Sequence, residues 1–227
     1  MLEVITIDGP SGSGKSTVSK ALALKLNYSY LDTGAMYRAF ALEVLNKGFE
    51  NDKERYIQLL KDFHIRFSYN NDGSQRVFCN DKDVTELIRT PEVSMWASTI
   101  SKEKEVRERM GYLQRKMGEA GKLVAEGRDM GTVVFKDAFA KFFLFATPEI
   151  RALRRYKELL EKNISVNYQE VLEDIKRRDD QDSNRELAPL RPAEDAVLID
   201  SSNLTVEEVV NKIYIIVLEK RKLWKSM

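Results

Sequence analysis

Apolar residues follow two patterns along the chain. About five short apolar runs alternate with longer stretches in which apolar residues recur every three or four positions. Short runs rich in β-branched residues are typical of buried strands, and the wider spacing is typical of helices packed along one face. The strand candidates are 2–8, a run that ends at Leu31, 122–126, 141–146 and 196–200. This alternation predicts an α/β fold in which helices cover both faces of a parallel sheet.

The helix candidates lie between these strands, and several of them start with residues that cap helices well. The Asp32-Thr33 pair, Thr147 with Pro148 after it, and Thr205 are such starts. The apolar spacing predicts helices at 18–26, 33–45, 52–63, 91–100, 102–119, from 148 onward, 168–185 and 205–217.

One region departs from the strand-helix alternation. Residues 64–69 alternate polar with apolar, 70–73 supply turn residues, and 75–80 resume the strand pattern. This order predicts an antiparallel hairpin that belongs to an inserted subdomain. The region also contains the only histidine, His64, and the only cysteine, Cys79. We expect both to be structural, because one histidine without partners cannot form the usual zinc site and nothing nearby suggests a reactive thiol.

Composition narrows the class of protein. A chain of 227 residues can form one sizeable core, or a core with appended lobes. The 37 lysines and arginines nearly balance 36 acids, so we expect neither a nucleic acid polymer nor a membrane as partner. No apolar run approaches the ~18 residues of a membrane span, and the N-terminus has no signal layout. With one cysteine and no disulfide, the chain suits a reducing cytoplasm.

A glycine-rich loop follows the first strand candidate and precedes the first helix candidate. It matches the phosphate-loop pattern G-x-x-x-x-G-K-[S/T] with Gly9, Pro10, Ser11, Gly12, Ser13, Gly14, Lys15, Ser16 and Thr17. Glycines let backbone N–H groups turn toward phosphate oxygens, and the helix N-terminus attracts the same anion. The loop therefore predicts a polyphosphate site, with Lys15 at the β- and γ-phosphates and Ser16 at Mg²⁺.

Several arginines fall where the fold would collect ligands. Arg38 lies about one turn into its helix, and residues 127–132 form a charged loop directly after a strand. Arg151, Arg154 and Arg155 share one helix face, and Arg178, Asp182 and Arg185 share another. The alternative interpretation is a solvated surface on which Asp179, Asp180 and Asp182 neutralise the arginines.

The residues contain no nucleophile-base pair. A hydroxyl acceptor would need a carboxylate base, whereas a phosphate acceptor is already anionic at neutral pH. Two phosphates that approach each other need cations to screen their repulsion, and phosphoryl transfer depends mainly on positioning and charge stabilisation. The residues therefore favour transfer from a nucleoside triphosphate to another phosphorylated molecule.

The chain resembles bacterial cytidylate kinases over essentially its whole length. The matching pieces are 8–17, 31–38, 126–134, 178–185 and 188–190. The resemblance implies a P-loop nucleoside monophosphate kinase fold, with a parallel five-stranded sheet flanked by helices, as one kinase domain over 1–227. The resemblance implies a core at about 1–33, 120–147 and 186–227. It implies a monophosphate-binding lobe at about 34–119, with a β insertion at about 64–84. The lid is implied at about 148–165 and is followed by an arginine-bearing helix at about 167–185.

The resemblance also implies a reaction and its residues. ATP with Mg²⁺ would phosphorylate CMP or dCMP, and the enzyme would be a cytoplasmic monomer. Cytosine is assigned to Thr33, Ser98, Arg107 and Asp129, the sugar to Arg178 and Asp182, and the acceptor phosphate to Arg38, Arg128 and Arg185. Lys15 and the lid arginines Arg154 and Arg155 would stabilise the transferred group together with Arg128 and Arg185. Thr33 replaces a serine found in many relatives.

Two alternatives remain open from the sequence. The acceptor could be UMP, AMP or a sugar acid instead of CMP. A GTP-binding switch is disfavoured, because the chain contains neither an Asn-Lys-x-Asp nor an Asp-x-x-Gly stretch.

Overall fold

The computed structural model describes residues 3–70, 75–161 and 163–226. These residues form two compact units, which divide after residue 31 and after residue 117. The predicted start of the first strand at residue 2, the turn at 71–73 and residue 162 of the predicted lid lie outside the described residues. The strands are β1 (Val4–Asp8), β2 (Ser29–Asp32), β3 (Ile65–Tyr69), β4 (Gln75–Cys79), β5 (Lys82–Asp83), β6 (Leu123–Gly127), β7 (Ala140–Phe145) and β8 (Val197–Asp200). The α-helices are α1 (Lys15–Leu26), α2 (Thr33–Lys47), α3 (Lys53–Leu59), α4 (Pro91–Ile100), α5 (Lys104–Gly118), α6 (Pro148–Glu161), α7 (Tyr168–Asn184) and α8 (Val206–Lys225).

The main sheet is parallel and has the order β2-β6-β1-β7-β8, which confirms the predicted α/β fold. All five residues of β1 are buried, as its short run rich in β-branched residues predicts. Its side chains Ile5 and Ile7 share a core with Leu22 of α1, Phe142 of β7 and Ile213 of α8. Burial on both faces makes β1 the rigid centre of the first unit.

The register of the sheet decides which loops are neighbours. Asp8, the last residue of β1, lies opposite Gly127, the last residue of β6. The loops that follow these two strands therefore start side by side at the carboxyl end of the sheet, where ligands of parallel sheets bind.

The second unit combines helices with a small antiparallel sheet of order β3-β4-β5. The predicted hairpin strands correspond to β3 and β4, while β5, with only two residues, was too short for its apolar pattern to be recognised. Phe40 of α2 packs edge-to-face on Phe63, with ring centroids 5.2 Å apart. Asp32 caps α2 as predicted, since its Oδ1 accepts from the backbone N–H of Ala35 at 2.8 Å.

Three local predictions need correction. β8 is an edge strand in which Leu198 is 57% exposed and only Ile199 is buried, so it is not a core strand in the sense expected from its apolar run. α3 ends at Leu59 rather than near Phe63. The predicted loop after β6 contains a π-helical turn at Met130–Val134.

Candidate active site

The phosphate loop, residues 9–17, connects β1 to α1 and needs glycine for steric reasons. A Cβ at Gly9, where φ is +151°, would lie 2.0 Å from the carbonyl oxygen of Leu144. A Cβ at Gly12, where φ is +75°, would lie 3.1 Å from Cβ of Arg151. Any larger residue at Gly9 would push the loop away from β7, and one at Gly12 would push it away from α6.

Lys15 lies inside this loop and is only 6% exposed. Its Nζ donates to the carbonyl oxygen of Pro10 at 2.7 Å, and Ser13 Oγ donates to the same oxygen at 3.1 Å. Burial, and then the charge of Arg128, lower the pKa of Lys15 to about 7. A polyphosphate anion would restore its charge, so the lysine is suited to respond to the ligand that the motif predicts.

Ser16 and Thr17 occupy the first turn of α1 and are exposed. Among the described residues, no group of three or more His, Cys, Asp or Glu side chains could hold a metal ion. Mg²⁺ is usually held by one or two protein oxygens together with substrate phosphates. An exposed Ser16 hydroxyl at the phosphate loop therefore fits Mg²⁺ that arrives with a nucleotide.

The second loop at the carboxyl end of the sheet spans residues 127–134 and is here called the β6 turn. Asp8 fixes it, because Oδ1 accepts from the N–H of Met130 at 2.9 Å and Oδ2 accepts from the N–H of Gly131 at 2.8 Å. Phe135 N–H donates to the carbonyl oxygen of Met130 at 2.7 Å, which closes the wide π-helical turn. Asp129 is buried immediately before it.

Four of the predicted acceptor residues form one partly buried network in the first unit, in which Asp129 is the fully buried member. Arg128 Nε donates to Asp182 Oδ2 at 2.8 Å. The guanidinium nitrogens of Arg185 lie 3.7 Å from Asp129 Oδ1 and 3.8 Å from Asp182 Oδ1. Although burial acts in the opposite direction, the charge of Arg128 lowers the pKa of Asp182. The network therefore holds two guanidinium groups beside two carboxyl groups.

The arginines of α6 have separate partners rather than one shared surface. Arg154 donates to the backbone oxygen of Ser201 at 2.6 Å, and Ser201 Oγ donates to the carbonyl oxygen of Ser13 at 3.0 Å. Arg155 pairs with Glu158 at 2.8 Å. The structure thus connects Arg154 to the phosphate loop through one serine, while Arg155 pairs within its own helix.

Arg178 lies on α7 but outside this network. Its Nε is 3.1 Å from Asp174 Oδ2, one turn earlier on the same helix. Burial lowers the pKa of Arg178 although Asp174 acts against that shift. Arg178 therefore pairs along its own helix, as the alternative interpretation expects, although its partner is Asp174 rather than Asp179, Asp180 or Asp182.

Four further predicted residues belong to the second unit. Arg38 Nη2 lies 3.0 Å from Asp32 Oδ2, and Thr33 is buried at the start of the same helix. Arg107 donates to the carbonyl oxygen of Ser101 at 3.0 Å and faces the ring of Tyr37 at 6.0 Å. Ser98 is half-buried on α4.

The second unit also contains the lone histidine and cysteine. His64 is exposed, and burial raises the pKa of the Cys79 thiol to about 12. An unreactive, buried thiol agrees with the structural role expected for Cys79.

Four residues at the site were not assigned by the sequence. Asp8 and Ser201 hold the loops described above. Glu126 is buried at the end of β6, accepts from the Tyr30 hydroxyl, and acts to raise the pKa of Lys15. Arg151 is 3% exposed and donates to the carbonyl oxygen of Ser11 and to Asp179 Oδ1, both at 3.0 Å. For two of these four residues, Asp8 and Glu126, the sequence offered a signal, because each is an acidic residue at the end of a predicted buried strand.

The glycine loop, its buried lysine and the five-stranded parallel sheet define a P-loop kinase fold. An uncharacterized protein from Eubacterium ventriosum has the same fold, with a TM-score of 0.51 at 14% identity over 95% of this chain and 98% of its own. The Cytidylate kinase family model matches residues 5–219, and the chain belongs to that family.

Individual relatives agree with the family match. A cytidylate kinase of Caldicellulosiruptor saccharolyticus is 51% identical over 210 residues, 92% of each chain. One of Thermosipho africanus is 51% identical over 221 residues, 96% of each chain. Within the part of the chain that the structure describes, no helix has the length and apolar character needed to cross a membrane.

Proposed function

We propose that the protein transfers the γ-phosphoryl group of ATP to CMP or dCMP, giving ADP and CDP or dCDP. The observation that carries this proposal is the partly buried network of Arg128, Asp129, Asp182 and Arg185 on the same unit as the phosphate loop. Its arginines are suited to an acceptor phosphate, and Asp129 to the amino group of cytosine.

The donor end uses groups of the phosphate loop. Backbone N–H groups of residues 11–14 and the start of α1 would surround the phosphates, and Lys15 would add a positive charge at the β- and γ-phosphates. Mg²⁺, held by the nucleotide and the Ser16 hydroxyl, would neutralise further charge on these phosphates. Arg154 and Arg155 of α6 would stabilise the group in transfer.

The acceptor end is proposed to exchange partners when CMP binds. Arg128 and Arg185 now contact carboxylates, and the acceptor phosphate would compete for the same guanidinium groups. Asp182 and Arg178 would then face the sugar. Thr33, Ser98 and Arg107 would complete cytosine recognition, and Arg38 would add a charge at the phosphate. The acceptor phosphate is itself the nucleophile, so the site needs no general base.

The parts of the kinase follow from these assignments. We infer that the core comprises about 1–33, 120–147 and 186–227, the monophosphate-binding lobe about 34–119, and the lid about 148–165, with the helix at about 167–185 after it. We further propose that the enzyme is a monomer that works in the cytoplasm. Size-exclusion chromatography with light scattering would give one chain mass if the monomer assignment is correct.

A coupled ADP-release assay across acceptors tests the reaction. We expect the highest kcat/KM with CMP and dCMP, and much lower values with UMP, AMP and a sugar acid. A sugar acid or AMP as the best acceptor would contradict the proposal. Titration calorimetry with CMP, dCMP and UMP then separates binding from turnover.

A further inference from the structure

Asp8 is buried at a position where the reaction proposed above gives it no contact with either nucleotide. It is the last residue of β1, directly before Gly9, and is 4% exposed. Both of its carboxylate oxygens accept backbone N–H groups of the β6 turn, 122 and 123 residues away in the chain. Burial of a charged carboxylate is unfavourable unless hydrogen bonds compensate it, so the two bonds indicate a specific structural role for Asp8.

The amides that Asp8 binds are those at the start of the π-helical turn. The first N–H groups of any helical turn have no partner within it, and they carry partial positive charge. Here Met130 and Gly131 provide those groups. Asp8 is thus the cap of this turn, supplied by a different strand rather than by the preceding residue.

The fit around Gly131 shows how closely the turn approaches the sheet. A Cβ at Gly131 would lie 3.0 Å from Thr6 Oγ1, 3.2 Å from Lys141 Cδ and 3.4 Å from Asp8 Oδ2. A side chain at this position would therefore push the turn away from β1 and lengthen the bonds to Asp8.

The chain is consequently fixed on both sides of a two-residue segment. Gly127 pairs with β1 opposite Asp8, and Met130 and Gly131 are bonded to the Asp8 side chain. Only Arg128 and Asp129 lie between these points. Their backbone positions therefore depend on one carboxylate.

We propose that Asp8 is a positioning residue for the acceptor nucleotide, whose ionised carboxylate holds the β6 turn so that Arg128 and Asp129 face CMP. This inference rests on the proposed function, which gives Arg128 and Asp129 their roles. Asp8 acts through the turn and touches neither substrate.

The protonation of Asp8 gives this role a pH signature. Burial raises the pKa of Asp8 to about 6, against the effect of its two amide bonds. Asp129 of the turn acts in the same direction as burial, and Lys15 of α1 acts against it. β6 contributes Glu126, bonded to Tyr30, and β7 contributes Lys141, whose Nζ lies 2.9 Å from Asp195.

Protonation would turn one acceptor oxygen of Asp8 into a hydroxyl. The side chain could then no longer accept from both amides, and the β6 turn would loosen as pH falls through about 6.

The variant Asp8→Asn tests the proposal. Its carboxamide has one acceptor oxygen and places an NH₂ group against an N–H donor. We expect KM for CMP to rise about tenfold or more, because a bond to a charged acceptor is lost, and KM for ATP to stay within about threefold. The matched control is Asp52→Asn, which changes a capping carboxylate bonded to the N–H of Arg55 in the second unit. We expect this control to leave both KM values unchanged.

The pH profile must be compared between the two proteins, because a nucleotide phosphate also loses a proton near pH 6. In the wild type, KM for CMP should rise more steeply below about pH 6 than in Asp8→Asn, since only the wild type has a titrating group at this position. Identical profiles, or a variant KM for CMP equal to that of the wild type, would overturn the positioning role.

A measurement on the wild type keeps the test decisive if Asp8→Asn does not fold. Amide hydrogen exchange at Met130 and Gly131, corrected for the intrinsic rate, should show protection at pH 7.5 that decreases at pH 5. Unchanged protection would contradict the inference. A wild type that does not phosphorylate CMP would instead overturn the proposed function, and the exchange result would still decide whether Asp8 holds the turn.

Discussion

The phosphate loop and the β6 turn, which lie at the carboxyl end of the main sheet, are stabilised in different ways. In the phosphate loop, Lys15 and Ser13 donate to Pro10 from at most five positions away, and Arg151 and Ser201 donate to Ser11 and Ser13 from distant parts of the chain. In the β6 turn, Asp8 accepts from Met130, while Arg128 and Asp129 pair with Asp182 and Arg185 on or just after α7. The glycine motif and Lys15 of the proposed donor site thus come from one short segment, whereas the proposed acceptor network is assembled from residues far apart in the sequence. Variants outside the phosphate loop should affect the acceptor more than the donor.

The largest difference between the effects on acceptor use and on ATP binding is expected for Arg185→Ala. Arg185 lies 3.7 Å from Asp129 and 3.8 Å from Asp182, and its charge is proposed to bind the acceptor phosphate. Turnover should fall by about 10²-fold or more, while ATP binding stays nearly intact. Steady-state kinetics and ATP titration measure the two effects, with exposed Arg191→Ala as the control. An equal loss of ATP binding and turnover would refute the acceptor-side role.

Selectivity for the base should decrease in Asp129→Ala. The carboxylate is proposed to accept from the amino group of cytosine, which uracil lacks. The ratio of kcat/KM for CMP over UMP should drop by about tenfold or more. Asp180→Asn, a change to an exposed aspartate on α7, serves as the control. Unchanged discrimination between CMP and UMP would show that another group recognises the base.

The comparison becomes less sharp at Arg151, because this residue bonds both the phosphate loop and α7, the helix that carries Asp182. It donates to the phosphate loop at Ser11 and forms a fork with Asp179 on α7. Arg151→Lys retains the charge but not the fork, so KM for ATP and for CMP should both rise, by roughly tenfold.

The control for this variant is Arg177→Lys, which changes an exposed arginine paired with Asp174 on the same helix as Asp179. A change in KM for one substrate alone would mean that Arg151 does not connect the two parts.

The smallest expected effect is the uptake of a fraction of one proton by Lys15 of the phosphate loop when ATP binds. Because the pKa of Lys15 is lowered to about 7, the amine is mostly neutral at pH 8 and should gain a proton when ATP binds. At pH 6 it is already charged, and no uptake at Lys15 is expected. Calorimetric titration in buffers of different ionisation enthalpy measures the uptake. In Lys15→Arg, which stays charged, the uptake at pH 8 should disappear; its persistence would assign the proton elsewhere.

The same contrast explains how much the sequence could predict. The phosphate loop, the strand-helix order and the cap at Asp32 depend on neighbouring residues, so the apolar pattern and the motif were sufficient. The bond from Asp8 to Met130 depends on strand order and register, which no local pattern contains. The exposure of Leu198 depends on its strand being at the edge of the sheet, although its apolar run looks the same as that of a central strand.

The arginines show a further limit of sequence reasoning. The helix that carries Arg151, Arg154 and Arg155 was predicted correctly from its cap and first-turn proline. Helical spacing could not predict that Arg151 is buried and bonded across two helices while Arg155 pairs with its own neighbour Glu158. The resemblance to cytidylate kinases gave the family, which the comparisons confirm, and its residue roles remain predictions.

The anchoring of the β6 turn has a consequence for attempts to redirect the enzyme to another base. Arg128 and Asp129 lie between two fixed points, Gly127 in the sheet and Met130 bonded to Asp8. A library at Asp129, with Arg128 kept for the acceptor phosphate, would sample new hydrogen-bonding patterns on a backbone that stays in place. Replacements at Asp8 or Gly131 would instead change the scaffold, and would lower acceptor binding for every base alike.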